Sequence, residues 1–309
     1  MHILVIRPGA IGDTLLTFPI IKAIRREYSD PHITLVGNPV VLPLALASGL
    51  VDAVSDYGQL QWSSLFSAHD TLSPAMPATP SQLQHTDLAI CWLRDPDGLV
   101  EQNLRLAGVQ RVIIASGRPP EGAQIHVAAY LAETIGLHHV EIPFTLSLKP
   151  AEPPTGESDN RHIAIHPGSG GVQKCWPAPF FAALIEQLWQ RDYPVLLLAG
   201  PADHLRVKDI LSLLSPPVVP SRPDMFATLI DAPLLQVASH LRLCGCYIGN
   251  DSGITHLAAM LGAPTVALFG PTDPTIWRPV GPDVTILQKN RLENLSVQTV
   301  LNSILSYAL

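Results

Sequence analysis

Short apolar runs alternate with stretches of helical spacing along the whole chain. The first run, HILVI at 2–6, is followed at 13–28 by a stretch whose apolar positions, such as Leu16, Ile20 and Ile24, share one helix face. Further runs that predict strands lie at 32–37, 52–57, 86–93, 111–116, 163–167, 194–200, 246–250 and 264–270, with helical spacing in most of the intervals between them. This alternation is typical of βαβ units and predicts an α/β protein with mainly parallel sheets.

The pattern breaks at two places. Residues 58–85 include the Pro-rich stretch TLSPAMPATPSQ and have no apolar period. They predict a loop, and a lid over a site is the alternative. Residues 147–161 are rich in Pro, Gly, Ser and charge, which predicts a linker. The chain therefore divides into two Rossmann-like, doubly wound domains, 1–150 and 160–309, that we expect to face each other across a cleft.

Composition narrows the class of protein. Of 309 residues, 47% are apolar and 15% are charged, which is enough apolar material for two cores. The net charge of -7 lacks the basic surplus of nucleic-acid binders, so no nucleic-acid partner is expected. The four cysteines and the histidines are not clustered at ligand spacing, which argues against a bound metal. No signal peptide or membrane span is apparent, and we expect a cytoplasmic protein.

Ligands of open α/β sheets bind beyond the carboxyl ends of the strands, so the residues that follow each strand are the candidates for chemistry. The first strand is followed by RPGAIGDTLLT, in which Gly9 and Gly12 allow a tight turn and Asp13 opens the helix. Asp13 has two interpretations: a helix cap, or a carboxylate at the lip of the cleft that accepts a proton. The G-x-x-G-D spacing does not match the dinucleotide fingerprint.

The first strand of the second half is followed by HPGSGGVQKCWP. Ser169, Gly170 and Gly171 offer backbone N–H groups ahead of a helix, and Lys174 adds a positive charge, which together suit a phosphate. The alternative is an ordinary Gly-rich turn with a solvated lysine. Further on, Asp203 in GPADH is predicted to cap the helix that follows it.

The stretch NDSGITH at 250–256 joins a strand to a helix. The turn and the first helical positions are occupied by Asn250, Asp251, Ser252 and Gly253, and backbone N–H groups there favour an anion. Asp251 fits there if it accepts hydrogen bonds from sugar hydroxyls or is shielded by Lys174. His256 is predicted to contact the ligand, the alternative being a structural histidine. A serine hydrolase is disfavoured because Ser252 has no G-x-S-x-G elbow.

Three stretches in the same order, 3–25, 163–185 and 246–274, resemble the heptosyltransferases of glycosyltransferase family 9, which build the inner core of lipopolysaccharide. The resemblance implies a GT-B fold and an inverting transfer from a nucleotide-activated heptose, usually ADP-heptose. It implies neither a cofactor nor an obligatory metal. By position, Asp13 matches the family's presumed general base, and Lys174 matches the lysine that holds the donor diphosphate.

The same resemblance places further residues around the donor and the acceptor. Asp251, Ser252, Gly253 and His256 match the D-[TS]-G-x-x-H motif around the phosphates and sugar of the donor, and Ser169 and Gly170 join them from the Gly-rich loop. Arg7, the basic residue nearest to Asp13 in the sequence, and Gly12 are predicted to bind the acceptor.

The acceptor that the resemblance implies is an anionic, lipid-linked saccharide, with peripheral contact to the cytoplasmic face of the inner membrane. The alternatives are a family member with another nucleotide-sugar donor or a protein acceptor, a nucleotide-sugar-binding protein without transfer activity, and a UDP-sugar epimerase of the same fold.

Overall fold

The computed structural model describes residues 1–67, 80–148, 162–214 and 223–307. The chain forms two compact units, Met1–Glu141 and Ile142–Leu309. Apart from its first two positions, the predicted linker lies outside the described residues. The residues just before it belong to the second unit. There, the N–H of Phe144 donates to the carbonyl of Val280, and the N–H of Leu146 donates to the carbonyl of Met260, both at 2.6 Å.

The first unit is built on one parallel sheet of five strands. They are β1 His2–Ile6, β2 His32–Gly37, β3 Ala53–Asp56, β4 Leu88–Trp92 and β5 Arg111–Ala115. Their order in the sheet is β3-β2-β1-β4-β5, so the order reverses between β1 and β4. Every side chain of β4 is buried, as expected for a central strand with helices on both faces.

The helices of the first unit are α1 Ile11–Leu15, α2 Phe18–Glu27, α3 Leu42–Ala47, α4 Leu99–Leu106 and α5 Val127–Glu133. The single helix predicted at 13–28 is wrong in one respect, because it is two helices with a break at Leu16 and Thr17. Pro19 explains the break, since it has no N–H for the carbonyl of Leu15 and its ring opposes a continuous helix. In addition, α1 begins two residues before Asp13.

Part of the predicted loop at 58–85 is packed structure. Leu60–Phe66 forms a 3₁₀ helix, and residues 68–79, which hold most of the Pro-rich stretch, lie outside the described residues. Trp62 and Leu65 are buried in the core of the first unit. The side-chain amide of Asn103, on α4, donates to the carbonyls of residues 64, 65 and 67 and so fixes this 3₁₀ helix. The prediction of a plain loop is therefore wrong for this part.

The second unit is built on a parallel sheet of six strands. They are β6 Ile163–His166, β7 Val195–Ala199, β8 Phe226–Ile230, β9 Cys246–Asn250, β10 Thr265–Phe269 and β11 Val284–Gln288. The order is β11-β10-β9-β6-β7-β8, which reverses between β6 and β9. The edge strands β8 and β11 were not predicted. Their side chains are partly or fully exposed, so their sequences contain no fully buried apolar run.

The helices of the second unit are α6 Ala178–Trp189, α7 His204–Leu213, α8 Leu234–Leu241, α9 Gly253–Met260, α10 Pro274–Trp277 and α11 Val297–Leu305. The core between α6 and the sheet is centred on Trp176, Phe181, Ile165 and Ile248. Within the described ranges, none of the helices combines the length and the hydropathy needed to cross a membrane.

Candidate functional site

Asp13 lies at the carboxyl end of β1, beside the point where the strand order of the first unit reverses. As the third residue of α1, it accepts the N–H of Ala10 at 2.9 Å through Oδ2. Gly9 makes room for this contact, because a Cβ at its φ of +137° would lie 2.6 Å from the same oxygen. The side chain of Asp13 is 15% exposed. Asp13 thus caps the first turn of α1 and also presents a carboxylate at the strand end.

Arg7 is the neighbour that holds the other oxygen of Asp13. Its Nη2 donates to Asp13 Oδ1 and to the carbonyl of Gly117, both at 2.9 Å, while Nη1 donates to the carbonyl of Trp92 at 3.4 Å. The Arg7 side chain is 5% exposed. Burial lowers the pKa of Arg7, and the charge of Asp13 acts in the opposite direction.

The burial of Arg7 corrects its predicted role. An acceptor contact would need a guanidinium that faces solvent, and this one is enclosed by partners from three parts of the first unit. Arg7 therefore positions Asp13. Gly12 lies in α1 beside Asp13, and its carbonyl accepts the N–H of Leu16. The predicted contact of Gly12 with the acceptor stays a prediction.

In the second unit, the Gly-rich loop after β6 is tied to the end of β9. The hydroxyl of Ser169 donates to the backbone carbonyl of Asp251 at 2.6 Å. Lys174 ends a short 3₁₀ turn, and its Nζ donates to Asp251 Oδ2 at 2.8 Å. Asp251 is 8% exposed and Lys174 is 33% exposed, so the ammonium group is the more accessible partner. Gly170 is exposed beside Ser169.

Asn250 clamps the loop to β9, a role that sequence reasoning did not assign to it. Its side-chain amide donates to the carbonyl of Pro167 at 2.7 Å, and its Oδ1 accepts the N–H of Trp176 at 2.9 Å. The signal was available, since an amide at the end of a buried apolar strand must find hydrogen-bond partners. This clamp fixes both ends of the segment that carries Lys174.

Helix α9 begins beside this loop. Ser252 is its N-cap and accepts the N–H of Thr255 at 3.4 Å, and Gly253 is the first helical residue. The first N–H groups of the helix have no partner within the helix and point outward, so this end attracts anions. His256 lies in the next turn and is buried, and its predicted ligand contact stays a prediction.

Asp203 does not cap the helix that follows it, in contrast to the prediction. Its Oδ2 accepts the N–H of Gly200 at 2.9 Å and lies 3.1 Å from Nε2 of His166. Burial acts to raise the pKa of Asp203, but the hydrogen bond and charge of His166, with the Gly200 N–H, outweigh burial and lower it. Sequence reasoning also did not single out His166, the last residue of β6. The sequence contained the same signal as for Asn250, because His166 is a polar residue at the end of a buried strand.

The predicted donor residues of the second unit thus meet where β6 and β9 adjoin, which is the reversal point of the strand order. Ligands of doubly wound sheets bind at such points. A helix N-terminus, an ammonium group and a carboxylate can together hold a phosphate beside a group with hydroxyls. In the part of the chain that the structure describes, no three His, Cys, Asp or Glu side chains converge as a metal site would require.

Two Rossmann-type α/β units, each with polar groups at the reversal point of its sheet, define the GT-B class of fold. The sequence model described as "Glycosyltransferase family 9 (heptosyltransferase)" matches residues 125–304. The chain belongs to this family, as the resemblance in the sequence implied.

Curated relatives have names that agree with this family. Lipopolysaccharide heptosyltransferase 3 of Escherichia coli is 34% identical over 121 residues, which cover 38% of this chain and 34% of that protein. Lipooligosaccharide heptosyltransferase 2 of Campylobacter jejuni is 22% identical over 276 residues, 88% of this chain and 82% of that protein. The match to the first of these relatives therefore spans about a third of its length.

Solved structures confirm the predicted fold class. The chain matches E. coli ADP-heptose lps heptosyltransferase II with a TM-score of 0.76 and 21% identity, over 100% of this chain and 98% of that one. It also matches E. coli heptosyltransferase WaaC with ADP, with a TM-score of 0.70 and 17% identity, over the whole of both chains. At identities of 21% and 17%, these two matches show a similarity of fold alone.

Proposed function

We propose that the protein is an inverting glycosyltransferase that moves a heptose from ADP-heptose to a saccharide of the lipopolysaccharide core. The observation that carries the proposal is the meeting of Lys174, Asp251 and the N-terminus of α9 at the reversal point of the second sheet. The names of the relatives support the heptose and the lipopolysaccharide acceptor. Of the two similar structures, one is of a protein named for ADP-heptose and the other is a complex with ADP.

The second unit holds the donor in this proposal. The first N–H groups of α9 and of the Gly-rich loop, at Ser169 and Gly170, bind the diphosphate, and the Lys174 ammonium turns from Asp251 to the phosphate oxygens. Asp251 is then available to accept hydrogen bonds from the sugar hydroxyls. The ammonium group and the N–H groups stabilise the charge that develops on the departing diphosphate, and the proposal requires no metal for this task.

The first unit activates the acceptor. As the bond between the acceptor oxygen and the anomeric carbon forms, the bond from that carbon to the diphosphate breaks. The acceptor hydroxyl loses its proton to Asp13. A positioned carboxylate contributes about 10²–10⁴-fold to such a step. Arg7 fixes the direction of the Asp13 carboxylate. The acceptor is an anionic, lipid-linked saccharide reached from the cytoplasmic face of the membrane.

Calorimetric titration with ADP, UDP and GDP, each with and without magnesium, tests the donor site. We expect ADP to bind best, with an affinity that magnesium does not change. Preference for UDP or GDP would replace the donor and keep the transferase assignment. Absence of binding to all three nucleotides would exclude a nucleotide-sugar site in the second unit.

Inversion is tested separately by NMR of the product formed from ADP-heptose and a core saccharide. A single displacement changes the anomeric configuration, so the product anomer should be opposite to that of the donor. Retention would exclude the one-step reaction in which Asp13 acts as base.

A further inference from the structure

The first unit contains eight lysine and arginine residues, and six of them are paired, buried or distant from Asp13. Four pair with carboxylates: Lys22 and Arg26 with Glu141, Arg25 with Asp52, and Arg105 with Glu101. Arg7 is buried, and Arg111 begins β5 at the opposite end of the sheet. The remaining two, Arg94 and Arg118, are exposed and follow the carboxyl ends of β4 and β5.

Arg118 is connected to Asp13 through the guanidinium group of Arg7. One nitrogen of Arg7, Nη2, donates both to Asp13 Oδ1 and to the carbonyl of Gly117, the residue directly before Arg118. Burial lowers the pKa of Arg7, the charge of Asp13 acts against this, and the charge of Arg118 lowers the pKa further. Arg118 therefore lies close enough to this ion pair to act on it electrostatically.

The backbone that carries Arg118 is held in a tight turn. The hydroxyl of Ser116 donates to the carbonyl of Arg118 at 2.8 Å and accepts the N–H of the same residue at 3.1 Å. Gly117 has no room for a side chain, because a Cβ there would collide with Nη1 of Arg7 and would lie 3.0 Å from the carbonyl of Trp92. The packing of Arg7 thus sets the place of Arg118. A side chain on a fixed backbone loses less conformational freedom when it binds a ligand.

We propose that Arg118 binds an anionic group of the acceptor, a carboxylate or a phosphate, while Asp13 takes the proton of the acceptor hydroxyl. A guanidinium can donate two parallel hydrogen bonds to either group, which orients the saccharide as well as attracting it. Arg118 then makes the acceptor contact for which Arg7 is too deeply buried. This inference rests on the proposed function, because it assumes that the acceptor approaches Asp13.

A positive charge at this place also offsets a repulsion that the proposed reaction contains. An anionic acceptor must approach a carboxylate base, and like charges oppose each other. The ion pair with Arg7 balances the charge of Asp13, so the further charge of Arg118 attracts the acceptor to this end of the sheet.

Steady-state kinetics at saturating ADP-heptose, with a water-soluble anionic core saccharide as the varied acceptor, test this role. We expect Arg118→Met to raise KM for the acceptor about 10- to 100-fold, the range expected when a hydrogen bond to a charged group is lost. The turnover number should stay within about threefold, because Asp13 keeps its place, and the affinity for ADP should not change. Arg118→Lys keeps the charge without the planar fork and should recover part of the loss.

Chemical forms of the same acceptor identify the group that Arg118 binds. The saccharide is used unchanged, with its carboxylates methyl-esterified, and with its phosphates removed. In the form that lacks the bound group, the unchanged protein should itself show the raised KM, and Arg118→Met should add no more than about a twofold increase. Persistence of the full loss in both treated forms would show that Arg118 does not bind an anion, and would overturn the inference.

The matched control is Arg111→Met. Arg111 is an exposed arginine at the amino end of the same strand, so the variant removes the same charge on the order of 15 Å away along β5. It should leave KM for the acceptor within about twofold, because salt screens charges at that distance. Equal losses in Arg111→Met and Arg118→Met would assign the effect to the net charge of the unit and overturn the inference. A loss in Arg94→Met that is absent from Arg118→Met would place the anion at the end of β4, with the same consequence.

The outcomes separate the two proposals. Transfer with the same KM in the unchanged protein and in Arg118→Met would overturn the role of Arg118 and leave the proposed function intact. Failure of the unchanged protein to transfer heptose to any form of the acceptor would overturn the proposed function, and the inference with it.

Discussion

The charge of Asp13, more than its shape, should matter for turnover. Asp13→Asn keeps an oxygen that can accept the N–H of Ala10, so α1 should still begin at the same place. The amide cannot accept the acceptor proton, and we expect the turnover number to fall about 10²–10⁴-fold. The affinity for ADP should stay within about twofold, because the diphosphate is assigned to the other unit. Steady-state kinetics and calorimetry measure the two quantities.

Asp52→Asn is the matched control, because Asp52 is a carboxylate of the same unit that pairs with Arg25 at the surface. It should leave turnover unchanged. A similar small loss in both variants would remove Asp13 from the role of base.

The buried guanidinium of Arg7 can be tested through the glycine that faces it. A methyl group at Gly117 would collide with Nη1 of Arg7. The guanidinium group of Arg7 cannot move aside at low cost, because four hydrogen bonds hold it in place. We expect Gly117→Ala to lower the free energy of unfolding by about 1–3 kcal/mol, as overpacking does elsewhere. Urea denaturation measures this loss, and turnover should fall with it because Asp13 loses its support.

The same substitution in an Arg7→Met background should cost less, since the colliding atoms are gone. Gly170→Ala is the stability control, because a methyl group there meets no atom within 4 Å. Additive losses for Gly117→Ala and Arg7→Met would show that the two residues do not interact and would contradict the geometry.

The sequence indicated which polar residues follow strands, because strand ends depend on local pattern. It could not indicate which of them pair. Arg7 reaches the carbonyl of Gly117, which lies 110 positions further along the chain, and Asp203 is drawn from its expected cap to His166, 37 positions away. Such pairings depend on the order of the strands, which local spacing does not encode.

At the scale of elements, the Gly-rich loop and α9 are joined by the ion pair of Lys174 and Asp251. Lys174→Met should weaken ADP binding about 10- to 100-fold, the worth of a hydrogen bond to a charged group. It should also reduce the dependence of binding on salt. The same change leaves the Asp251 carboxylate buried without its cation, and we expect a loss of about 1–3 kcal/mol in the free energy of unfolding.

The double variant Lys174→Met, Asp251→Asn separates these two effects. Neutralising residue 251 removes the unpaired charge, so stability should recover while ADP binding stays weak. Calorimetry and urea denaturation follow the two quantities. If ADP affinity recovered together with stability, Lys174 would be a structural residue and would have no role in holding phosphate.

Most elements of both sheets were predictable, because central strands are buried on both faces and show as continuous apolar runs. The exceptions have physical causes. Strands β8 and β11 lie at the edges of their sheet and expose side chains, so their short runs FATLI and VTILQ lack the fully buried pattern of a central strand. The 3₁₀ helix Leu60–Phe66 was hidden because only two of its seven residues, Trp62 and Leu65, are buried apolar side chains, and two such positions produce no helical period.

At the scale of the whole molecule, the described part of each unit has its own sheet and its own apolar core, and this organisation has a consequence for fragments. We expect residues 142–309, expressed alone, to fold and to bind ADP, since the proposed donor groups all belong to this unit. Cooperative urea unfolding and calorimetric titration would measure both properties. A fragment that folds but fails to bind ADP would mean that the second unit does not hold the nucleotide by itself.

The place where such a fragment begins is itself a sharp test. A fragment of residues 162–309 starts at the first described residue after the predicted linker, yet it lacks Phe144 and Leu146. Both side chains are buried, and their N–H groups bond to the second unit. Burial of one large apolar side chain contributes about 1.5–3 kcal/mol, so the shorter fragment should be less stable than 142–309 by about 3–6 kcal/mol. Equal stability of the two fragments would mean that residues 142–148 add nothing to the second unit, and its boundary would then move to the predicted linker.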